Sequence, residues 1–143
     1  VSLSADFPSP LPAATIAVNR PLLFSHSTCS TCRKARAWLQ QQGIAVEVRE
    51  IIGTPPSRQQ LAAAMAQLGR PRLFNTSGQS YRALGAAAVR ALSDDQALDA
   101  LAADGKLIRR PFLITPGGAT LTGFQPQDWQ DLLAAAPDPD PAP

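Results

Sequence analysis

The chain has 143 residues, 45% hydrophobic and 17% charged, with a formal net charge of +2, which suits one globular domain with a real core and excludes a disordered chain. All but Lys34 and Lys106 of its 13 basic side chains are arginines, scattered and without the basic block that tracks phosphates, so direct nucleic-acid binding finds no support. No apolar run approaches the roughly 20 residues that cross a bilayer, and two cysteines three positions apart are too few and too close for a secreted disulfide scaffold, which makes the cytoplasm the default compartment.

Leu11 to Val18 is mostly apolar, but no basic segment precedes it and Pro8, Pro10 and Pro12 interrupt it. Residues 1–19 therefore read as a flexible leader rather than a signal peptide. The folded unit is expected over 20–136. It opens with Pro21-Leu22-Leu23-Phe24-Ser25, a buried strand that leads into Cys29-Ser30-Thr31-Cys32. A helix follows, with Ala35, Trp38 and Leu39 as its apolar stripe, Gln42 at the same spacing and Gly43 as its stop. Ile44, Val46 and Val48 then alternate with Ala45, Glu47 and Arg49 and predict a second strand over 44–49. Strand, helix and strand with short joints form a βαβ unit, whose two strands run parallel.

Pro55-Pro56 breaks the chain. Ser57 with Gln60 makes a capping box before Leu61, Met65 and Leu68, closed by Gly69. Ser93 with Gln96 repeats the device before Leu98, Leu101 and Ala102, closed by Gly105. A helical insertion is thus predicted over about 55–105, with a loop and a short helix between Arg70 and Gly85. Phe112–Thr115 and Ala119–Thr122 flank Pro116-Gly117-Gly118 as an antiparallel hairpin. Pro126 opens a last helix with Trp129, Leu132 and Leu133 inward. Residues 137–143, rich in proline and aspartate, read as a disordered tail. The order is α/β and follows the thioredoxin-like fold: βαβ, helical insertion, β-hairpin and C-terminal helix.

The place of the cysteines matters more than their spacing. Cys29 stands where a strand passes into a helix, so free backbone N–H groups and the positive end of the helix dipole meet its sulfur. Arg33 and Lys34 add positive potential. All three favour thiolate, the nucleophilic form. Cys32 lies one turn further in, placed to resolve a mixed disulfide formed at Cys29. A closed zinc site would need about four ligands, against two cysteines and the single histidine, His26. Two inert core cysteines are the duller alternative, and His26 reads as a loop histidine rather than a catalytic base. Arg109-Arg110-Pro111 precedes the hairpin. In the thioredoxin fold a cis-proline stands there and faces the active-site cysteine, so Arg110 is placed to neutralise an anionic partner or steady the thiolate. Two solvated arginines beside an edge-strand proline are the competing reading. Thr31 and Arg33, inside and beside the cysteine motif, complete the candidate substrate contacts.

Cys29-Ser-Thr-Cys-Arg-Lys-Ala35, Trp38-Leu39, Leu73-Phe-Asn-Thr-Ser-Gly-Gln-Ser-Tyr-Arg82, Asp104-Gly-Lys-Leu-Ile-Arg-Arg-Pro-Phe-Leu113, Gly123-Phe124 and Trp129 together resemble the arsenate-reductase-like family. It holds glutaredoxin-like arsenate reductases, Spx-type redox regulators and many uncharacterised relatives. The likeness runs in order over about 20–136. It implies a thioredoxin-like fold and thiol chemistry, with Cys29 as nucleophile and Cys32 resolving. It also implies Arg110 before a cis-Pro111, no resident cofactor, and glutathione, glutaredoxin or a thioredoxin-type protein as electron donor. Two further oxyanion-holding arginines of the reductases are absent: Ser77 follows Asn75-Thr76, and no arginine stands near Phe124-Gln125. Losing two of three guanidiniums removes most of the bidentate grip on arsenate unless Arg72 or Arg82 substitutes in space. The alternative within the same likeness is an Spx-type regulator whose C-x-x-C switch acts through RNA polymerase.

Overall fold

A computed structural model describes residues 20–135; the expected leader and the tail lie outside them. The elements, in chain order, are β1 (Leu22–Ser25), α1 (Ser30–Gln41), β2 (Glu47–Glu50), α2 (Arg58–Leu68), α3 (Gln79–Leu84), α4 (Ala86–Ala91), α5 (Asp94–Ala103), β3 (Phe112–Ile114), β4 (Thr120–Thr122) and α6 (Pro126–Ala135), with single 3-10 turns at Arg70–Arg72 and Gly105–Leu107. The strands form one sheet in the order β2-β1-β3-β4. β1 runs parallel to β2, with Leu23 opposite Val48, and antiparallel to β3, with Leu23 opposite Leu113. β3 and β4 form the predicted hairpin, with Leu113 opposite Leu121. The order and pairing are those of a thioredoxin-like fold with helices inserted between β2 and β3.

The two-residue period of a strand sends neighbouring side chains to opposite faces, and β1 divides the core accordingly. Phe24 joins Phe112, Ile51, Leu61, Leu73 and Leu101 under the inserted helices; the two phenylalanine rings meet edge to face at 5.8 Å. Leu23 joins Leu113, Ala35, Leu39 and Trp129 under α1 and α6. Fully burying each such leucine stabilises by about 1.5–3 kcal/mol. Both faces of the central strands are therefore anchored, which holds the C-terminal end of β1, where the cysteine loop begins.

Both predicted capping boxes form: Ser57 and Ser93 accept the N–H of Gln60 and Gln96, whose side chains accept the serine N–H groups in return. The predicted second strand begins three residues late. Gly43 takes a φ of +71°, Gly43 N–H donates to the Gln40 carbonyl, and Ile44 N–H donates to the Leu39 carbonyl. This pair of bonds is a Schellman closure of α1. It spends Ile44 on the helix end, its side chain packing into the α1 cluster, and leaves only Glu47–Glu50 for the ladder. Val48, on this edge strand, is exposed. The stretch after Arg70 resolves into a 3-10 turn and two short helices, α3 and α4, broken at Gly85 (φ +90°). Gly105 sits where a Cβ would strike the Ile51 carbonyl; only a residue without one lets the end of the insertion close on the segment after β2.

Candidate active site

The loop between β1 and α1 is short because its hydrogen bonds are made locally. Cys29 N–H donates to the His26 carbonyl at 3.0 Å, and Arg33 N–H donates to the Cys29 carbonyl at 3.1 Å. Cys29 is thereby the N-cap of α1, in extended conformation, and its sulfur stands at the helix N-terminus. α1 carries no acidic residue in its first turn, and the arginine and lysine there oppose the helix dipole. A thiolate at the N-cap would supply the missing negative charge. Both thiols are free; Cys29 is half-buried and Cys32 fully buried.

Burial pushes the Cys29 thiol up, but the backbone N–H and thiol of Cys32 and the Arg110 guanidinium outweigh it and hold the pKa below the usual value. Cys32 is shifted the other way. Burial raises it, and the neighbouring Cys29 adds to the rise against donation from His26 N–H, whose nitrogen lies 3.4 Å from Cys32 Sγ. The two sulfurs are thus unequal: the half-buried one is shifted toward the thiolate and the buried one toward the thiol. His26 turns its ring to Glu50, with Nδ1 3.1 Å from a carboxylate oxygen, so it braces the loop and does not reach the Cys29 cavity.

That cavity, about 560 Å³, is walled by Cys29 and Thr31, the 74–78 loop, Arg109 and Arg110, and Gly123–Gln125. The Arg110-Pro111 bond is cis, and the Pro111 carbonyl accepts Gly123 N–H at 2.9 Å. Trp129 Nε1 donates to the Gly123 carbonyl at 3.0 Å and stacks edge to face on Phe124 at 5.1 Å. The proline and the last helix therefore set the third wall together. The 74–78 wall is held by Asn75 N–H on the Leu107 carbonyl and Gly78 N–H on the Asn75 carbonyl.

Of the candidate residues, Cys29, Thr31 and Arg110 line the cavity, Cys32 lies beneath it, and Pro111 acts through its carbonyl. Arg33 is elsewhere: its guanidinium donates to the Ser27 carbonyl at 3.1 Å, and it lines a separate groove with Arg36, Ile44 and Val46. Neither Arg72 nor Arg82 lines the cavity. Arg109 does, and it was not singled out from the sequence. Its guanidinium lies over Gly123, where a Cβ would sit 3.1 Å from Nε. The Arg-Arg dipeptide was the available signal. Ser77 and Gln125 stand in the walls as neutral residues. Among the described residues no cluster of three or more His, Cys, Asp or Glu could hold a metal, and no helix is long and apolar enough to cross a membrane.

The ArsC family model matches residues 19–132. The chain belongs to the ArsC family. This ArsC family member is 38% identical over 109 residues to the uncharacterized protein YusI of Bacillus subtilis, covering 74% of the chain and 92% of YusI. It is 30% identical over 94 residues to the global transcriptional regulator Spx of Streptococcus agalactiae, covering 64% of the chain and 68% of Spx. The crystal structure of a possible arsenate reductase from Streptococcus mutans superimposes with a TM-score of 0.72 at 34% identity, covering 78% of this chain and 98% of that one.

Proposed function

We propose that this ArsC family member is a thiol-dependent oxidoreductase that reduces disulfides carrying an anionic group, glutathione mixed disulfides being the model substrate. The observation that carries the reading is the unequal thiol pair: a lowered Cys29 facing Arg110 in an open cavity, with Cys32 buried one turn behind. The Cys29 thiolate attacks the substrate sulfur, forming a Cys29 mixed disulfide and releasing the other half as a thiolate that takes a proton from water. Arg109 and Arg110 hold the carboxylate of the glutathione half by charge-assisted hydrogen bonds. Cys32 then resolves the adduct, and a glutaredoxin- or thioredoxin-type dithiol returns the pair to its reduced state in the cytoplasm. With Ser77 and Gln125 neutral, the cavity offers a tetrahedral oxyanion two guanidiniums from one dipeptide, and arsenate is expected to turn over far more slowly than the mixed disulfide.

The test is turnover on a glutathione mixed disulfide and on arsenate, beside the pH dependence of Cys29 alkylation. Turnover that disappears in Cys29→Ser, with a Cys29 midpoint below the ordinary ~8.5 of a free thiol, supports the proposal. An ordinary midpoint without turnover overturns it, and arsenate as the faster substrate overturns the substrate assignment.

The likeness to Spx favours a second reading: a redox-sensing regulator in which Cys29–Cys32 disulfide formation alters binding to RNA polymerase. Recovery of polymerase subunits that changes between oxidised and reduced protein supports it; equal recovery, or none, counts against it.

A further inference from the structure

Two buried side-chain polar atoms among the described residues make no hydrogen bond: Arg110 Nη1 and Ser25 Oγ. A buried polar group without a partner is costly, so natural structures tolerate few. Arg110 borders Cys29, and the orphaned nitrogen belongs to the site already described. Ser25 has no role there. It is the last residue of β1 and nearly inaccessible. Strand alternation puts it on the face of Leu23, which packs against Ala35 and Leu39 of α1. Cys32 shares that face of the helix, three residues before Ala35 and seven before Leu39. The Ser25 hydroxyl thus meets α1 at the level of the buried thiol, beside the His26 N–H that already points at Cys32 Sγ from 3.4 Å.

We propose that Ser25 Oγ–H and His26 N–H form a two-donor pocket for the Cys32 thiolate, and that Ser25 is the residue that lets the buried cysteine resolve the mixed disulfide. The inference rests on the redox reading above. In the resting pair burial and the neighbouring Cys29 favour the Cys32 thiol, so the Ser25 hydroxyl has no anion to serve and stands without a partner. Once Cys29 is bound in a mixed disulfide its charge is gone, and Cys32 must ionise in a buried site. Its proton passes to solvent, Ser25 and His26 N–H donate to the new thiolate, and this attacks Cys29 Sγ. The Cys29–Cys32 bond forms and the bond to the partner sulfur breaks. The partner leaves with the electron pair and takes a proton, so its sulfur is reduced as the pair is oxidised. The direction of the shifts agrees: burial and the neighbouring Cys29 raise Cys32, while His26 N–H, and the Ser25 hydroxyl once it faces a thiolate, pull the other way.

The experiment uses Ser25→Ala and Ser25→Thr, each also in a Cys29→Ser background, where a neutral residue stands for the adduct. Thiolate absorbance against pH in that background reads Cys32 alone. Ser25→Ala should move the midpoint upward, leaving about tenfold less thiolate below it, as expected for losing one hydrogen bond to a charged group. Ser25→Thr, which keeps the hydroxyl, should restore it. With Cys29 intact, stopped-flow release of the partner thiol from a preformed mixed disulfide should slow about threefold at neutral pH, because the remaining thiolate is the stronger nucleophile. Removing an unsatisfied hydroxyl should also leave the reduced protein at least as thermally stable, whereas a merely structural serine would lower Tm. An unmoved Cys32 midpoint in Ser25→Ala overturns the inference while leaving the redox reading intact. A Cys29 alkylation midpoint at the ordinary thiol value overturns the redox reading, and the inference with it.

Discussion

Replacing Arg110 by glutamine keeps much of the side chain's length and removes its charge. The guanidinium is one of the groups that lower the Cys29 pKa against the upward pull of burial. Opposite charges shift a thiol when they lie within about 4–6 Å. Taking about 5 Å and an effective dielectric of roughly 40, between water and a surface site because Cys29 is only half-buried, the attraction is about 1.7 kcal/mol. That corresponds to roughly 15-fold less thiolate well below the midpoint. The thiolate left behind is more basic, and with a Brønsted slope near 0.5 it reacts about fourfold faster per molecule. Iodoacetamide alkylation of Cys29 in a Cys32→Ser background should therefore slow about fourfold at pH 6 and become about fourfold faster at pH 11, where both forms are fully ionised. The pH–rate curves must cross. Curves that stay parallel at every pH would mean that Arg110 shapes access to the sulfur rather than its charge, and coincident curves would remove Arg110 from the electrostatics of the site.

Three other outcomes follow from local contacts in the fold. Gly105→Ala drives a Cβ into the Ile51 backbone carbonyl and should cost about 3 kcal/mol, the upper end of overpacking because backbone cannot rotate away; Gly53→Ala, where a Cβ meets nothing within 4 Å, serves as the near-neutral control in urea melts. Ser57→Ala and Ser93→Ala should each lower stability by about 1 kcal/mol, and nearly additively, since the serines head different helices. Burial pulls Glu50 upward, but the Ile52 N–H and His26 together outweigh it and hold the carboxyl below its usual range. Its stabilisation is present above the unfolded value of about 4.3 and is lost as pH falls through the lowered one; Glu50→Gln should flatten the melting temperature over that acid window by an amount worth under about 1 kcal/mol for so exposed a pair.

The fold was legible wherever one physical signal stood alone. Alternation on Leu23 and Phe24, paired serine and glutamine at helix starts, and Pro-Gly-Gly between two short strands each specify one local structure. The second strand starts later than the alternation predicts because two signals overlap at Ile44: its place in an alternating run, and its place one residue after a glycine that ends a helix. The Schellman closure took it, since that bond joins neighbours in sequence whereas the ladder needs a partner found across the fold. In the site, Cys29, Cys32 and Arg110 were legible from motif and order. Arg109 and the reach of Arg33 were not, because side-chain direction in a loop depends on what it packs against. Gly123, with a φ of +72°, leaves the space that Arg109 fills, and the Ser27 carbonyl draws Arg33 away.

The chemistry of the pair follows from where α1 starts. Had the N-cap fallen one residue later, Cys29 would sit outside the helix and lose the field of its N-terminus. With the cap at Cys29, one sulfur stands open to the Arg110 cavity, and the other is sealed beneath it with His26 N–H within 3.4 Å. The cap is set there by the Cys29 N–H bond to the His26 carbonyl, and His26 is itself tied to the end of β2 through Glu50. The end of the edge strand thus holds the loop from which the helix starts. The His26–Glu50 contact ties the cysteine loop to the end of β2, and the His26 N–H it steadies is the one that points at Cys32 Sγ.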